Sequence, residues 1–363
     1  MVPAWLQRAQ SFDYLHEVLN TLGAREHLRA EGRSASKSCD SDYYHPPHES
    51  HPPQTNKFLV DFYSVSVGAN PAHQAFNRYG DIQPYDRTRF DPGGRYLNAN
   101  WVRELHGRKW WIATQAPLPN TIYTFLSVLL ESVSPPGLPT IRVRTIVQLT
   151  KDVEGGRIKA NPYFPQTIGH SMVVREAQGQ GVPDKSFEVT LIARKIIEDA
   201  HCTQSTVAIT PQIQDVAQGQ PVFFNHLLYT AWPDHGVPEP GDHQALMNFI
   251  VQVDKTNRMR TSPADDPDPP VMVNCSAGIG RTGTFIALSS LLRSYSCLPP
   301  APSSTYPQQP LPPSPLGPLP PEVSEDLIVQ EIDSCREQRP GMVQTGTQVT
   351  FLYQILKKVL CSG

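Results

Sequence analysis

The stretch VMVNCSAGIGRTGTF, residues 271 to 285, decides how the rest of the chain is read. VMVN (271 to 274) reads as a short buried strand, and TFIALSSLLRSYS (284 to 296) as a helix. The loop between them carries Gly278, Gly280 and Gly283, which allow backbone conformations closed to residues with a Cβ atom. Successive amide N–H groups of Ser276, Ala277, Gly278, Ile279 and Gly280 can then turn inward as an anion nest. A helix starting near Thr282 adds its free N–H groups and the positive end of its dipole. Arg281 adds a planar, permanently charged fork that matches a phosphate bidentately. All of these converge on one tetrahedral dianion. A Walker loop uses the same physics but needs GxxxxGK[ST], and no such string occurs. The distinctive residue is Cys275: a ring of amides plus a guanidinium lowers a thiol from its usual ~8.5, so the donors that bind phosphate also activate the group that attacks it.

The rest of the composition narrows the class. With 363 residues the chain can bury one large core or two ordinary ones. Its 37 prolines depress both the charged and the apolar fractions, and they cluster. The net charge of -3 comes with no basic arm or stripe of the kind that binds nucleic acid. Trp5, Arg8 and Asp13 interrupt any signal-peptide core, and no apolar run approaches the ~18 residues of a membrane span. The expectation is a cytoplasmic protein with access to the nucleus. Its six cysteines, Cys39, Cys202, Cys275, Cys297, Cys335 and Cys361, are scattered and are read as free thiols.

Along the chain, residues 11 to 30 read as a helix, and 31 to 56 as a polar, disordered linker with almost no aliphatic residues. His45, His48 and His51 within it have a spacing a metal could use, but they read as part of the linker. Strands are expected at 145 to 149, 187 to 193 and 222 to 232, and helices at 243 to 255, 323 to 338 and 346 to 360. Between Pro299 and Pro321 eleven of 23 residues are proline, too dense for a packed element. The mixture without a strict βαβ repeat indicates an α+β or α/β domain.

Cys-x5-Arg-[Ser/Thr] within CSAGIGRTG resembles the signature loop of the protein tyrosine phosphatases, and other strings agree. TAWPDHGVP (230 to 238) looks like that family's mobile acid loop. The resemblance makes Asp234 the general acid, then base, and Trp232 the hinge anchor, where the string alone would pass for a buried Trp-Pro turn. NRYGDIQPYDRTRF (77 to 90) resembles the phosphotyrosine-recognition loop. Tyr79 would wall a cleft too deep for phosphoserine, and Asp81 would bond substrate backbone. TKDVEGGRIKANPYFP (150 to 165) looks like the supporting loop, with Glu154 pairing Arg281 and Lys159 near Asp234. RPGMVQTGTQVTFLY (339 to 353) matches the glutamine loop: Gln344 would orient the hydrolytic water, Gln348 would support it, and Thr282 would donate to the departing sulfur. YLNANWV (96 to 102) and WWIATQAPLPNTIYTF (110 to 125) match core motifs assigned to packing. The implied fold is a central mixed, twisted sheet flanked by helices.

The resemblance spans about 57 to 360 and is to the tyrosine-specific non-receptor class, fungal in flavour. It implies an N-terminal segment (1 to 56) followed by a catalytic domain (57 to 361) with a proline-rich disordered insertion at about 298 to 322. It also implies phosphotyrosine proteins, kinase activation loops among them, as substrates, with no metal and no cofactor. PxxP spacing at Pro310 to Pro313 would suit an SH3-type partner, though no flanking Arg or Lys sets a direction. Three positions depart from the family pattern. Asn274 stands where His is usual and cannot carry its positive charge; Ala116 and Leu126 stand where Gly and Trp are usual and affect packing. Asn274 alone speaks for a pseudophosphatase that binds phosphotyrosine without turnover. The Tyr79 and glutamine loops speak against a shallow dual-specificity or lipid phosphatase.

Overall fold

The computed structural model describes residues 3–38, 57–176, 185–212, 219–233, 236–260, 262, 265–301 and 309–362. In chain order its strands are β1 (Ala99–Arg103), β2 (Trp110–Thr114), β3 (Thr145–Gln148), β4 (Val153–Glu154), β5 (Arg157–Ile158), β6 (Ser171–Arg175), β7 (Ser186–Ile197), β8 (Cys202–Gln212), β9 (Val222–Tyr229) and β10 (Val271–Asn274). The α-helices are α1 (Ala4–Arg8), α2 (Phe12–Ser38), α3 (Lys57–Phe62), α4 (Ser66–Ala69), α5 (Ile122–Ser127), α6 (His243–Asn257), α7 (Gly280–Ser294), α8 (Leu327–Gln338) and α9 (Gly346–Ser362).

Eight strands form one mixed sheet in the order β1-β2-β10-β3-β9-β8-β7-β6. β2, β10, β3 and β9 are parallel neighbours, and the flanking pairs are antiparallel. β10 is therefore central and covered on both faces, which is why VMVN is apolar throughout rather than alternating with polar residues. The alternation survives in which core each residue enters. Val271 and Val273 join the cluster with α6, α7, α8 and α9, while Met272 joins the one with α5 on the other face. The expected mixed sheet flanked by helices is what is found. Its parallel strands point their C-terminal ends at one edge, where open α/β sheets place their ligands.

Two segments differ from the sequence reading. The N-terminal helix does not stop at 30 but continues through Ser38. Composition gave no sign of this because the buried face of its last turns is built from small and charged residues. A Cβ on Gly32 would lie 3.0 Å from the Leu59 carbonyl, so glycine lets α3 approach. Arg29, fully buried, reaches Asp333 and Glu337 at 2.5 and 2.6 Å. The Ser36 hydroxyl receives the Val65 amide. In the proline-rich stretch, residues 309 to 321 form no helix or strand, yet they pack against the domain. The Arg25 guanidinium donates to the carbonyls of Leu316, Gly317 and Pro318, and Leu316 and Leu319 lean on the apolar clusters. Prolines have no N–H to satisfy, so one arginine can serve the carbonyls of such a turn.

The remaining differences are at element ends and in strands that the sequence did not show. α8 begins at Leu327 rather than 323 because the Asp326 carboxylate caps the amides of Ile328 and Val329 at 2.9 and 3.2 Å. β8 was not expected at all. The five described cysteines are free, and Cys39 and the three histidines of the linker lie outside the described residues.

Candidate active site

The loop from Cys275 to Arg281 joins the C-terminal end of β10 to the first turn of α7. Its shape follows from how tightly it is held. Gly278 has φ +73°, and a Cβ there would sit 2.1 Å from the carbonyl oxygen of Thr114, the last residue of β2, so only glycine fits. The Gly278 amide then turns back and donates to Cys275 Sγ at 3.3 Å. From outside, the fully buried Arg339 takes hold of the loop carbonyls of Gly278 (2.8 Å) and Ala277 (3.1 Å), and anchors itself on Asn100 Oδ1 (2.8 Å) and Asn98 Oδ1 (3.0 Å). Burial pushes the Arg339 guanidinium down to about 10. With the carbonyls drawn outward, the amides are left to face the cleft.

Burial acts to raise the Cys275 thiol. The Thr282 hydroxyl beside it, the charge of Arg281 and the amides of Thr282 and Ile279 outweigh burial and hold the thiol below its usual value. Arg281 is oriented by Glu154, whose two oxygens receive Nη1 at 2.8 Å and Nη2 at 2.7 Å; Nη1 also reaches the Leu149 carbonyl at 3.1 Å. Burial acts to raise Glu154, but the donors of Arg281 more than offset it and keep the carboxylate ionised. The tight β4–β5 hairpin presents this carboxylate, steadied by the Thr150 hydroxyl and the Lys151 amide.

The loop and its neighbours line a cleft of about 400 Å³. Tyr79 forms one wall. Ser276 Oγ donates to the Lys159 carbonyl at 2.7 Å, so the 2.8 Å contact between Tyr79 and Ser276 has the tyrosine as donor. Asp81, exposed on the rim, and Lys159 line the same cleft. Gln344 and Gln348 lie over the loop: a Cβ on Gly280 would be 3.1 Å from Gln344 Oε1 and 3.0 Å from Gln348 Nε2. Val343, just before Gln344, is held at φ +55°, a left-handed conformation unfavourable for a β-branched residue. Arg336 binds the carbonyls of Met342 and Val343 and, with a third donor, the Leu22 carbonyl of α2.

Asn274, fully buried, spends its amide on the Cys275 carbonyl at 3.2 Å, and its Oδ1 has no hydrogen-bond partner among the described residues. It contributes no charge to the thiol. Ala116, fully buried, donates its amide to the Ser276 carbonyl, and Leu126, on α5, is fully buried in the core. Trp232 is buried against Tyr229 and Phe351 and bonds the Gly236 carbonyl at 3.1 Å. Asp234 lies outside the described residues. The structure thus brings Cys275, Arg281, Glu154, Tyr79, Thr282, Gln344 and Gln348 together around one loop.

Sequence reasoning passed over three positioning groups. Arg339 and Arg336 stand in or beside the string read as the glutamine loop. Arg78 fastens the Tyr79 segment to the chain after β2 through the Ala116 and Pro117 carbonyls and Asn161 Oδ1. An arginine in a loop string reads as solvated, and only the tertiary contacts show otherwise.

A model of the protein-tyrosine phosphatase family matches residues 73–302. Human receptor-type tyrosine-protein phosphatase eta is 35% identical over 222 residues, covering 60% of this chain and 14% of that one. Rat tyrosine-protein phosphatase non-receptor type 20 is 30% identical over 292 residues, 78% of this chain and 54% of its own length. Rat tyrosine-protein phosphatase non-receptor type 21 is 30% identical over 318 residues, 85% and 23%. The chain belongs to the protein-tyrosine phosphatase family. It spans about half the length, or less, of these relatives.

Proposed function

We propose that this chain hydrolyses phosphotyrosine in proteins through a phosphocysteine on Cys275. The observation that carries the reading is the Cys275 sulfur, its pKa held low at the head of an amide-lined loop that the Glu154–Arg281 fork closes. The phosphoryl dianion is bound by the loop amides and Arg281. The thiolate attacks phosphorus; the S–P bond forms as the P–O bond to the tyrosyl oxygen breaks, and Asp234 protonates that oxygen. Water held by Gln344, with Asp234 now as base, displaces the sulfur, and the Thr282 hydroxyl donates to the thiolate as it leaves. Tyr79 sets the cleft depth that selects phosphotyrosine. The proposed setting is the cytoplasm, with access to the nucleus; among the described residues no helix is long and apolar enough to cross a membrane. Kinase activation loops fit as substrates. No observation supports an SH3-type partner for Pro310 to Pro313.

A binding-only reading rests on one observation, the uncharged Asn274 at the base of the loop. Hydrolysis of a phosphotyrosyl peptide measured against pH separates the two, with Cys275→Ser as the blank. A bell-shaped profile is expected, with an ascending limb that moves to lower pH in Asn274→His. Binding of the peptide with turnover no greater than the blank at every pH would establish the binding-only reading instead.

A further inference from the structure

A second cavity, about 680 Å³, lies at the opposite end of the parallel strands. Its floor is the antiparallel part of the sheet, where Ala193, Thr206 and Asn225 stand abreast on β7, β8 and β9. β3 connects the two ends of the sheet: Arg144 precedes it at the cavity, and Leu149 follows it at Arg281. Five residues of strand is roughly 17 Å, so the cavity is separate from the catalytic cleft.

Its charge is one-sided. Among the described residues Arg142, Arg144, Arg194, Lys195 and Arg260 line it, and no Asp or Glu does, in a chain with 34 acidic and 31 basic residues. Two of the five are committed to structure. Arg144 holds the Asn257 and Asp266 carbonyls and pairs with Asp265 at 3.9 Å, and Arg194 holds Gln166. The side chains of Arg142, Lys195 and Arg260 make no ion pair or hydrogen bond to another described residue. Beside them stand two large apolar groups in the open, Phe223 at 48% and Met259 at 61% exposure. A β-bulge between Leu191 and Ala193 breaks the alternation of β7 and puts Ala193 and Lys195 on the cavity side with Thr206 and Gln204.

We propose that this groove docks an acidic, extended segment of a partner protein, its carboxylates on Arg142, Lys195 and Arg260 and one apolar side chain on Phe223 and Met259. Three cations with no counter-charge among the described residues, converging on a concavity, favour a polyanion. The single exposed aromatic gives no run of stacking platforms for nucleic-acid bases, and a recess between β7 and the end of α6 does not lie flat on a bilayer.

The test is fluorescence anisotropy of a labelled peptide of Glu and Asp with one central Leu and no tyrosine, so that the catalytic cleft takes no part. Binding to the natural protein is expected, weakened by added salt. Arg142→Glu/Lys195→Glu and Arg260→Glu should each weaken it about tenfold or more, and Phe223→Ser several-fold. Turnover of para-nitrophenyl phosphate should be unchanged in all of them, showing that they fold. No binding to the natural protein, or equal affinity in the charge reversals, would overturn the proposal. So would an RNA oligonucleotide or phosphatidylserine vesicles that displace the peptide and lose binding in the same variants, since the occupant would then be of another class.

Discussion

Replacing Arg339 with lysine should damage catalysis out of proportion to stability, while replacing Asn100 with alanine should do the reverse. Arg339 spends four hydrogen bonds in two directions: two on the loop carbonyls of Ala277 and Gly278, and two on the side chains of Asn98 and Asn100. Lysine keeps the charge but not the planar fork, so it serves about half of these acceptors. Each buried acceptor left alone costs about 1–3 kcal/mol, and the costs are not additive within one network. A net loss of about 2–3 kcal/mol follows, and in a chain of this size it lowers Tm by roughly 3–4 °C. The loop carbonyls then relax inward, the amides lose their common focus, and kcat should fall about 10²-fold. Asn100→Ala removes one anchor of Arg339 and the bonds from Asn100 Nδ2 to Tyr85 and Thr88. It should cost about 1–3 kcal/mol while leaving kcat within about threefold, because the loop side of Arg339 is intact. Calorimetry and steady-state kinetics on a phosphotyrosyl peptide measure both quantities. If the two variants lower Tm and kcat in the same proportion, Arg339 acts on general stability only, and the account of how the amides are aimed is wrong.

Other outcomes follow from the same contacts. Glu154→Gln takes one carboxylate charge away from Arg281 and leaves its bond to the Leu149 carbonyl. kcat/KM should fall about 10–100-fold, yet the Cys275 pKa, read from alkylation rate against pH, should fall rather than rise, because one negative charge beside the arginine is removed. Gly278→Ala places a Cβ within 2.1 Å of the Thr114 carbonyl at φ +73°; the loop must move, and turnover should drop about 10³-fold with retained fold by circular dichroism. Glu331, fully buried beside Glu104, is pushed from 4.5 up to about 7 by burial. Between those values the unfolded chain ionises Glu331 while the folded one keeps its proton, so this group's stability is complete below about 4.5 and is lost as pH rises toward 7. Glu331→Gln should flatten the fall in stability over that window by about 3 kcal/mol, whatever its effect on the absolute level, as read from denaturant midpoints at several pH values.

How much of this was legible in the sequence depends on whether a residue's role is local. The loop of Cys275 was readable because a strand, three glycines and an arginine within a few positions dictate their own geometry, and the apolar run of β10 announces a strand covered on both faces. Phe187, Val189 and Leu191 alternate and gave β7, but its far half did not read as strand. Around the bulge Ile192, Ala193, Lys195 and Ile196 are exposed, on either face, and pairing with β8 rather than burial keeps them extended. β8 itself, CTQSTVAITPQ, has too many small polar residues to show a periodic face, and six of its eleven residues are buried because β7 and β9 flank it. The same limit hid the end of α2. Its stability comes from Arg29 meeting Asp333 and Glu337, more than 300 residues away in the chain, and a buried ion network leaves no hydrophobic period to detect. Arg25, Arg336 and Arg339 belong to this class: each is an arginine at least half of whose hydrogen bonds go to backbone carbonyls. A carbonyl is common to every residue, so nothing in the sequence of the acceptor marks it. Chemistry is therefore written in the loop that performs it, whereas the rigidity that aims that chemistry is distributed over arginines whose partners only the folded chain reveals.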